Sequence, residues 1–452
     1  MTMEIEIISK ESIKPASPTP HHLKTHKISL VDQFGPSGYA PILLFYSANH
    51  HTFQANSISK RSLILKQSLS ETLARYYPAA GKVRDSLSID CDDEGALYIE
   101  TRINCSLKYY LGQLDVLSLD KLAPDESFKL ATPGTRVVIV KENVFACGGI
   151  ALGFIMWHSI CDAATLSSFL KTWSALARRS SDQAVFPNFI ASSLFPPNES
   201  FPQDANSSSL ASILFTVGNS AARRFLFDGS VMVNLKAKAT SAGMQNPTRA
   251  EVVSALIFKS FMAAAMKVKH QVHRPTLMNF PVNLRRRMTP PLPENCLGNL
   301  LFFATVLSEG EEELDSLVRK IREARSKING DLLKSFQGEG GLTKFLEIIT
   351  ELRESLSASG TEHIGLNSWC NFGFYDVDYG WGKPLWIPFM GSMFKNYIFL
   401  MDTRHGNGIE AWVSLDKEVM AVVEQDQELL SFASIDPTPL DLGKPISLVS
   451  NL

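Results

Sequence analysis

Between Arg136 and Ala177 two β-rich runs and a helical stripe follow one another almost without filler, which confines this stretch to a strand–strand–helix unit. Arg136–Phe145 (RVVIVKENVF) and Ile150–Trp157 (IALGFIMW) are rich in Val, Ile, Phe and Leu. The Ala146-Cys147-Gly148-Gly149 break between them predicts a hairpin turn. Leu166, Phe169, Leu170, Trp173, Leu176 and Ala177 then recur along one face of a helix. His158-Ser159-Ile160-Cys161-Asp162 stands at the junction of strand and helix. A rigid junction can aim an imidazole into a cavity, where the neutral ring serves as a general base near physiological pH. The plainer reading is a loop histidine followed by a helix-capping aspartate. Asp162 fits two roles, a cap for the helix or a partner for an arginine. Metal binding by His158 and Asp162 needs a third ligand, and no HExxH-like spacing supplies one. A covalent route through Ser159 or Cys161 needs a nucleophile elbow or a recognisable His and Asn partner, and neither is present.

With 452 residues the chain exceeds one ordinary core, so two domains are expected. The net charge of −2 gives no electrostatic footprint for nucleic acid. The 6 cysteines are scattered without a CxxC pair, which favours reduced thiols in a reducing compartment. The polar, proline-bearing N-terminus lacks a signal-peptide pattern, and no apolar run approaches the roughly 20 residues of a membrane helix. These features predict a cytoplasmic protein with no membrane partner.

Strands are expected at Glu4–Ile8, Ala40–Tyr46, Arg223–Phe227, Thr276–Val282, Leu300–Leu307, Asn396–Asp402 and Gly408–Leu415. Leu87–Arg102 alternates and turns at Asp92–Gly95, which predicts a hairpin. Helices are expected over Ser57–Tyr77, Thr248–Lys267, Glu311–Lys334 and Leu342–Leu356. Phe186 to about Leu210 is rich in Pro, Ser and Asn and reads as a crossover loop. The mixture in both halves points to an α/β architecture. Further on, Asp378-Tyr379-Gly380-Trp381-Gly382-Lys383-Pro384 follows an expected aromatic strand, Asn371–Tyr375, and its glycines mark a tight turn that supports the fold.

HSICD in mid-chain together with DYGWGKP far downstream resembles the HxxxDG and DFGWG signatures of the plant BAHD acyltransferase family. YPAAGK at Tyr77–Lys82, NLR at Asn283–Arg285, Gly298-Asn299 and GIEAWVSL at Gly408–Leu415 agree, so the resemblance covers essentially the whole chain. The N-terminal ISKESIKPASPTPHHLKTHKISLVDQF and the stretch NSWCNFGFYDVDYGWGKP look most like the branch containing vinorine synthase and salutaridinol acetyltransferase. The resemblance implies two similar-sized chloramphenicol-acetyltransferase-like α/β domains: 1–190 carrying HxxxD and 221–452 carrying the DFGWG-like motif, joined by a crossover loop at 191–220. A solvent channel is expected between them, with no permanent cofactor, acetyl-CoA or another acyl-CoA as co-substrate, and a monomeric state.

By that resemblance His158 is the general base and Asp162 turns away to pair with Arg285, while Asp378, Gly380, Trp381 and Gly382 support the structure. Trp369 is expected beside the reaction centre, Asn367 near the oxyanion, and Ser254, Lys259, Arg286 or Arg287 toward CoA. The implied reaction is O-acylation of a plant specialised metabolite such as an alkaloid or terpenoid. N-acylation, a larger acyl donor, an inactive relative acting as a binding protein, and a carrier-protein condensation enzyme stay open. The last usually doubles the histidine, where this chain has Trp157. Two departures stand out: Ala163 replaces the glycine of HxxxDG, and Asn367 occupies a position that is often Thr or Ser.

Overall fold

The structure is a computed structural model and describes residues 3–48, 55–113, 116–201, 216–241, 243–269, 275–338, 340–357, 361–390 and 394–441. The part of the expected crossover loop from 202 to 215 lies outside the described residues. In the first half, strands β1 (Ile5–Ile13), β2 (Tyr39–Tyr46), β3 (Ala96–Ile103), β4 (Val138–Phe145) and β5 (Ile150–Trp157) form one sheet in the order β1-β3-β4-β5-β2. The predicted hairpin is there: β4 and β5 pair antiparallel, and Gly148 adopts φ +79° in the turn. Every residue of both strands is buried; β5 is apolar throughout, and β4 is apolar except for Lys141, Glu142 and Asn143, which find hydrogen-bond partners at Lys121, Tyr98 and Leu122. Helices α1 (Ala55–Arg75) and α2 (Ala163–Ala177) pack on this sheet, with Trp173 Nε1 donating to the Leu65 carbonyl at 3.0 Å.

The second half builds a seven-stranded sheet from β6 (Ser220–Phe227), β7 (Thr276–Asn283), β8 (Leu301–Ser308), β9 (Glu362–Ser368), β10 (Tyr397–Asp402), β11 (Ile409–Asp416) and β12 (Ser434–Ile435). Its order is β8-β7-β9-β10-β11-β6-β12, with β7, β9 and β10 running parallel. Helices α3 (Arg249–Val268), α4 (Leu314–Lys327) and α5 (Gly341–Ser357) accompany it. A Thr248/Glu251 capping box starts α3. Arg322 and Arg325 of α4 reach Glu251 at 2.8 and 2.5 Å, which ties the two helices together.

The two cores exchange segments. Leu30, Val31 and Phe34 of the first half are buried in the second core. Phe374, Tyr375, Tyr379 and Trp386 of the second half are buried in the first. Phe45 of β2 exchanges backbone hydrogen bonds with the 385–386 segment, which carries the first sheet onward into the C-terminal half. No helix among the described residues is long and apolar enough to cross a membrane.

Four sequence expectations change. The first strand runs to Ile13, well beyond Ile8, because it pairs along all of β3. Leu87–Arg102 is not a hairpin: Ser88–Asp90 pairs with Thr25–Lys27 and Lys82–Val83 in a separate small sheet, while Ala96–Ile103 joins the large one. Two left-handed residues between them, Asp93 and Gly95, turn the chain from one sheet to the other. The charged helix Glu311–Lys334 divides at Ile328–Asn329, where extended Asn329 caps a second short helix through the Asp331 and Leu332 amides, each 3.1 Å away. Asn371–Tyr375 is a turn and not a strand, with both Asn371 and Gly373 at positive φ.

Candidate active site

β5 ends at Trp157 and the chain makes a single tight turn, His158–Ile160, before α2 begins. The His158 amide donates to the Gly38 carbonyl at 2.9 Å, and the His158 carbonyl accepts from the Asn299 side chain. The backbone beneath the ring is therefore fixed from both halves of the chain. Asp162 is the extended N-cap of α2 and accepts from the Thr165 amide at 2.9 Å. Its carboxylate meets Arg285 through Oδ2–Nη1 at 2.6 Å and Oδ1–Nη2 at 3.1 Å. The two readings of Asp162 are thus both realised by one carboxylate. Ala163 is the first residue of the helix, so its Cβ in place of glycine meets no backbone obstacle.

Arg285 is wholly buried, and its guanidinium also donates to the carbonyls of Cys296 and Gly298. Burial opposes its charge, but Asp162 more than offsets this, and the guanidinium pKa stands above its ordinary value. Cys161 and Gly298 form a β-bridge beside the pair, another stitch between the halves. Burial, together with the nearby Asp162 charge, pushes the Cys161 thiol well up, so it stays protonated and is no nucleophile.

Sequence reasoning missed a second clamp. Asp32 caps its own short helix through Ser29, accepting from the Ser29 amide at 2.8 Å and hydroxyl at 2.7 Å. Its other oxygen accepts from the Asn299 amide at 2.6 Å, and Asn299 in turn holds the His158 carbonyl. Burial raises the Asp32 pKa to about 6, with the Ser29 and Asn299 hydrogen bonds opposing the shift. The sequence signal for this clamp was the S-x-x-D spacing of Ser29-Leu30-Val31-Asp32, a capping-box pattern.

The imidazole itself faces a cavity of about 600 Å³, counting its open mouth, between the first-half turn Val31–Pro36 and the β7, β8 and β9 strands. Its wall is largely apolar, with Phe34, Phe303 and Phe345 prominent, and its polar groups are His158, Asn279, Asn299, Asn367 and Tyr397. Burial lowers the His158 pKa, partly offset by the ring's own backbone, Asp162 and Asn299. The ring is therefore neutral at pH 7. Nδ1 is buried without a hydrogen-bond partner, as is Asn299 Oδ1. Nε2 is the nitrogen not sealed off, which makes it the one available to a ligand.

Of the other expected residues, Asn367 lines the cavity and hydrogen-bonds the Tyr397 phenol. Trp369 stacks on Phe374 at 4.9 Å and meets Phe399 edge-on at 5.0 Å, away from the cavity wall. Asp378 gathers the Gly380 and Gly382 amides at 2.7 and 2.9 Å, in a turn whose glycines lie at φ +105° and +109°. That turn plants Tyr379 against Trp173 and leaves Trp381 under the Arg61 guanidinium, in the first core. Ser254 is buried in the second core, Lys259 pairs with Glu428 at 3.1 Å, and exposed Arg286 pairs with Glu294 at 2.5 Å. None of these three lines the cavity.

A neutral imidazole, its backbone held from both halves of the chain, opens to a largely apolar cavity between the two α/β cores, an arrangement able to accept a proton from a bound ligand. Comparisons with known proteins agree. The model of the Transferase family matches residues 3–430. Epi-neemfruitin B 7-O-acetyltransferase of Melia azedarach is 44% identical over 453 residues, which span 97% of this chain and 100% of the relative. Limonoid 7-O-acetyltransferase of Citrus sinensis is 43% identical over 460 residues, spanning 97% and 100%. The crystal structure of vinorine synthase matches with a TM-score of 0.80 at 31% identity, covering 95% of this chain and 99% of that one. The chain belongs to this transferase family, the BAHD acyltransferases, and is an acyltransferase.

Proposed function

We propose that the enzyme transfers acetyl from acetyl-CoA to a hydroxyl of an oxygenated, limonoid-like terpenoid. The observation that carries this reading is the neutral His158 ring, with Nε2 open to a largely apolar cavity, in a chain 44% and 43% identical to relatives named epi-neemfruitin B 7-O-acetyltransferase and limonoid 7-O-acetyltransferase. Nε2 takes the proton from the acceptor hydroxyl as its oxygen attacks the thioester carbonyl. The tetrahedral oxyanion collapses, the carbon–sulfur bond breaks, and the proton passes from the imidazolium to the departing thiolate. The product is an acetate ester and free CoA, with no covalent enzyme intermediate. The ring's own carbonyl and Asn299 stabilise the imidazolium while it exists, and they are the same groups that raise its pKa. Asn367, tied to Tyr397, supplies an amide on the cavity wall for the oxyanion.

On this reading Asp162 and Arg285 hold the loop and do no proton transfer. Lys259 and Arg286 meet the phosphates of CoA once their pairings with Glu428 and Glu294 open. The enzyme acts as a monomer in the cytoplasm, a compartment in keeping with its free cysteines. Mass-spectrometric screening of acyl-CoA donors against limonoid, other terpenoid and alkaloid alcohols tests the assignment. Acetyl ester formed with a limonoid alcohol, and lost in His158→Ala, is the expected result. Transfer only to amines, or none to any alcohol, overturns it.

A further inference from the structure

The cavity wall opposite the histidine carries a polar device that general-base chemistry does not use. Asn279 of β7 is 2% exposed and lines the cavity. The parallel register sets Leu277 beside His363 and Asn279 beside Gly365, so the Asn279 and His363 side chains emerge on the same face of the sheet. Asn279 Oδ1 meets His363 Nε2 directly. Burial lowers the His363 pKa to about 4, so the ring is neutral at pH 7 and its Nε2 must carry a proton to bond a carbonyl oxygen.

That bond fixes which way the amide points. With Oδ1 occupied, the Asn279 NH₂ is left without a partner among the described residues, and it is not sealed from the cavity. A donor held by a neighbouring side chain, in a largely apolar cavity where Phe303, Pro281, Leu301 and Phe345 outnumber the few other polar groups such as Asn367 and Tyr397, is a specificity element. A ligand that leaves it unpaired loses affinity, because the buried donor gives up its water for nothing.

We propose that Asn279, oriented by His363, selects acceptor substrates carrying a hydrogen-bond-accepting oxygen, a ketone, lactone or ester carbonyl, in addition to the hydroxyl that reacts at His158. This rests on the assignment of the cavity to a terpenoid alcohol. His363 is a positioning residue, since it acts on the ligand only through Asn279.

The test is the affinity of the enzyme, without acetyl-CoA, for a panel of limonoid alcohols from which the carbonyls have been removed one at a time. One removal is expected to weaken binding to the wild-type enzyme about tenfold. The same removal should cost nothing in Asn279→Leu, whose unchanged affinity for that carbonyl-free compound reports an intact cavity. Asn279→Asp, which offers only acceptors, should reject the carbonyl compound more strongly than Asn279→Leu does. His363→Leu should fall between the wild type and Asn279→Leu. The proposal is overturned if no single removal weakens wild-type binding, if every removal costs wild type and Asn279→Leu equally, or if no panel member binds. Turnover with acetyl-CoA is read separately: a panel that binds selectively but is never acetylated overturns the assignment of acetyl transfer to a limonoid-like alcohol and leaves the ligand contact of Asn279 standing.

Discussion

The Asp162 carboxylate and the Arg285 guanidinium meet through two hydrogen bonds, 2.6 and 3.1 Å long, that join the first half of the chain to the second. The same carboxylate caps α2, and the same guanidinium holds the carbonyls of Cys296 and Gly298, so one ion pair fixes the strand–helix turn, the helix start and the facing loop. Both side chains are almost fully buried. Removing one leaves the other charge unpaired in a low dielectric, a loss of about 3–5 kcal/mol. Asp162→Ala is expected to lose that much in denaturant unfolding, together with most of its activity. Asp162→Asn keeps a good helix cap and should lose less stability. Asp162→Ala combined with Arg285→Met should be less destabilised than the sum of the single changes. Additive losses would show that the two groups act separately.

His158→Ala addresses the chemistry directly. The turn is held by the backbone amide and carbonyl of His158, through Gly38 and Asn299, and neither bond involves the ring. The variant should therefore melt near the wild-type temperature while turnover falls about 10²–10⁴-fold, the usual contribution of a positioned base. A variant that remains folded and turns over at the wild-type rate would remove His158 from the mechanism.

Asp32 gives the acid limb of the pH profile a second component. Its carboxylate, with pKa about 6, accepts from Ser29 and from the Asn299 amide, and protonation weakens that grip. His158 protonates below its ordinary value, which removes the proposed base on the same side of the profile. The wild-type kcat/KM should thus fall on the acid side through two protonations, that of Asp32 near pH 6 and that of His158. Asp32→Asn should lower kcat at neutral pH about tenfold, with little change in either KM, and flatten the limb toward one proton. An unchanged slope would show that Asp32 does not position the base. Gly298→Ala attacks the same clamp: at φ +132° its Cβ would lie 2.9 Å from Asp32 Oδ1, so activity should fall with it.

The extent to which this site was legible depends on how local each signal is. The hairpin, the turn at His158 and the start of α2 follow from periodicity and breakers within a short stretch, and the structure has them where expected. Asp162 and Arg285 could be paired from family motifs, because each sits in its own signature. Asp32 and Asn299 form an equally close pair, yet only the Ser29–Asp32 spacing was written locally; the contact across the halves depends on tertiary folding. Asn279 and His363 were illegible for the same reason, since each reads as an ordinary strand residue until parallel pairing sets them on one face. The false hairpin at Leu87–Arg102 errs in the opposite way. Its alternation and turn are real, but Ser88–Asp90 finds better partners in Thr25–Lys27 and Lys82–Val83.

Two histidines away from the base set the response of the fold to acid. His26, bonded through Nδ1 to the Tyr77 hydroxyl at 3.0 Å, and His363, bonded to Asn279, both have pKa values lowered to about 4 by burial. In the unfolded chain each titrates near 6.5. At pH 7 neither state is charged, so neither histidine affects stability. As the pH drops through 6.5 the unfolded chain takes up protons that the folded one refuses, and stability falls until about pH 4, by up to roughly 3 kcal/mol per histidine. Asp32 works in the opposite direction, because between its unfolded value and about 6 the folded state holds a proton that the unfolded state lacks. His158, whose pKa burial also lowers, and carboxylates held low by ion pairs, such as Glu251, add to the loss, Glu142 and Asp120 side with Asp32, and the expected net is a loss. The melting temperature should therefore decline between pH 7 and pH 4.5, and the decline should be shallower in His26→Gln/His363→Gln, which retains hydrogen-bonding side chains without the titration. It should be steeper in Asp32→Asn, where the opposing proton is gone. A melting temperature independent of pH in all three proteins would mean that these burial-driven shifts do not govern acid stability.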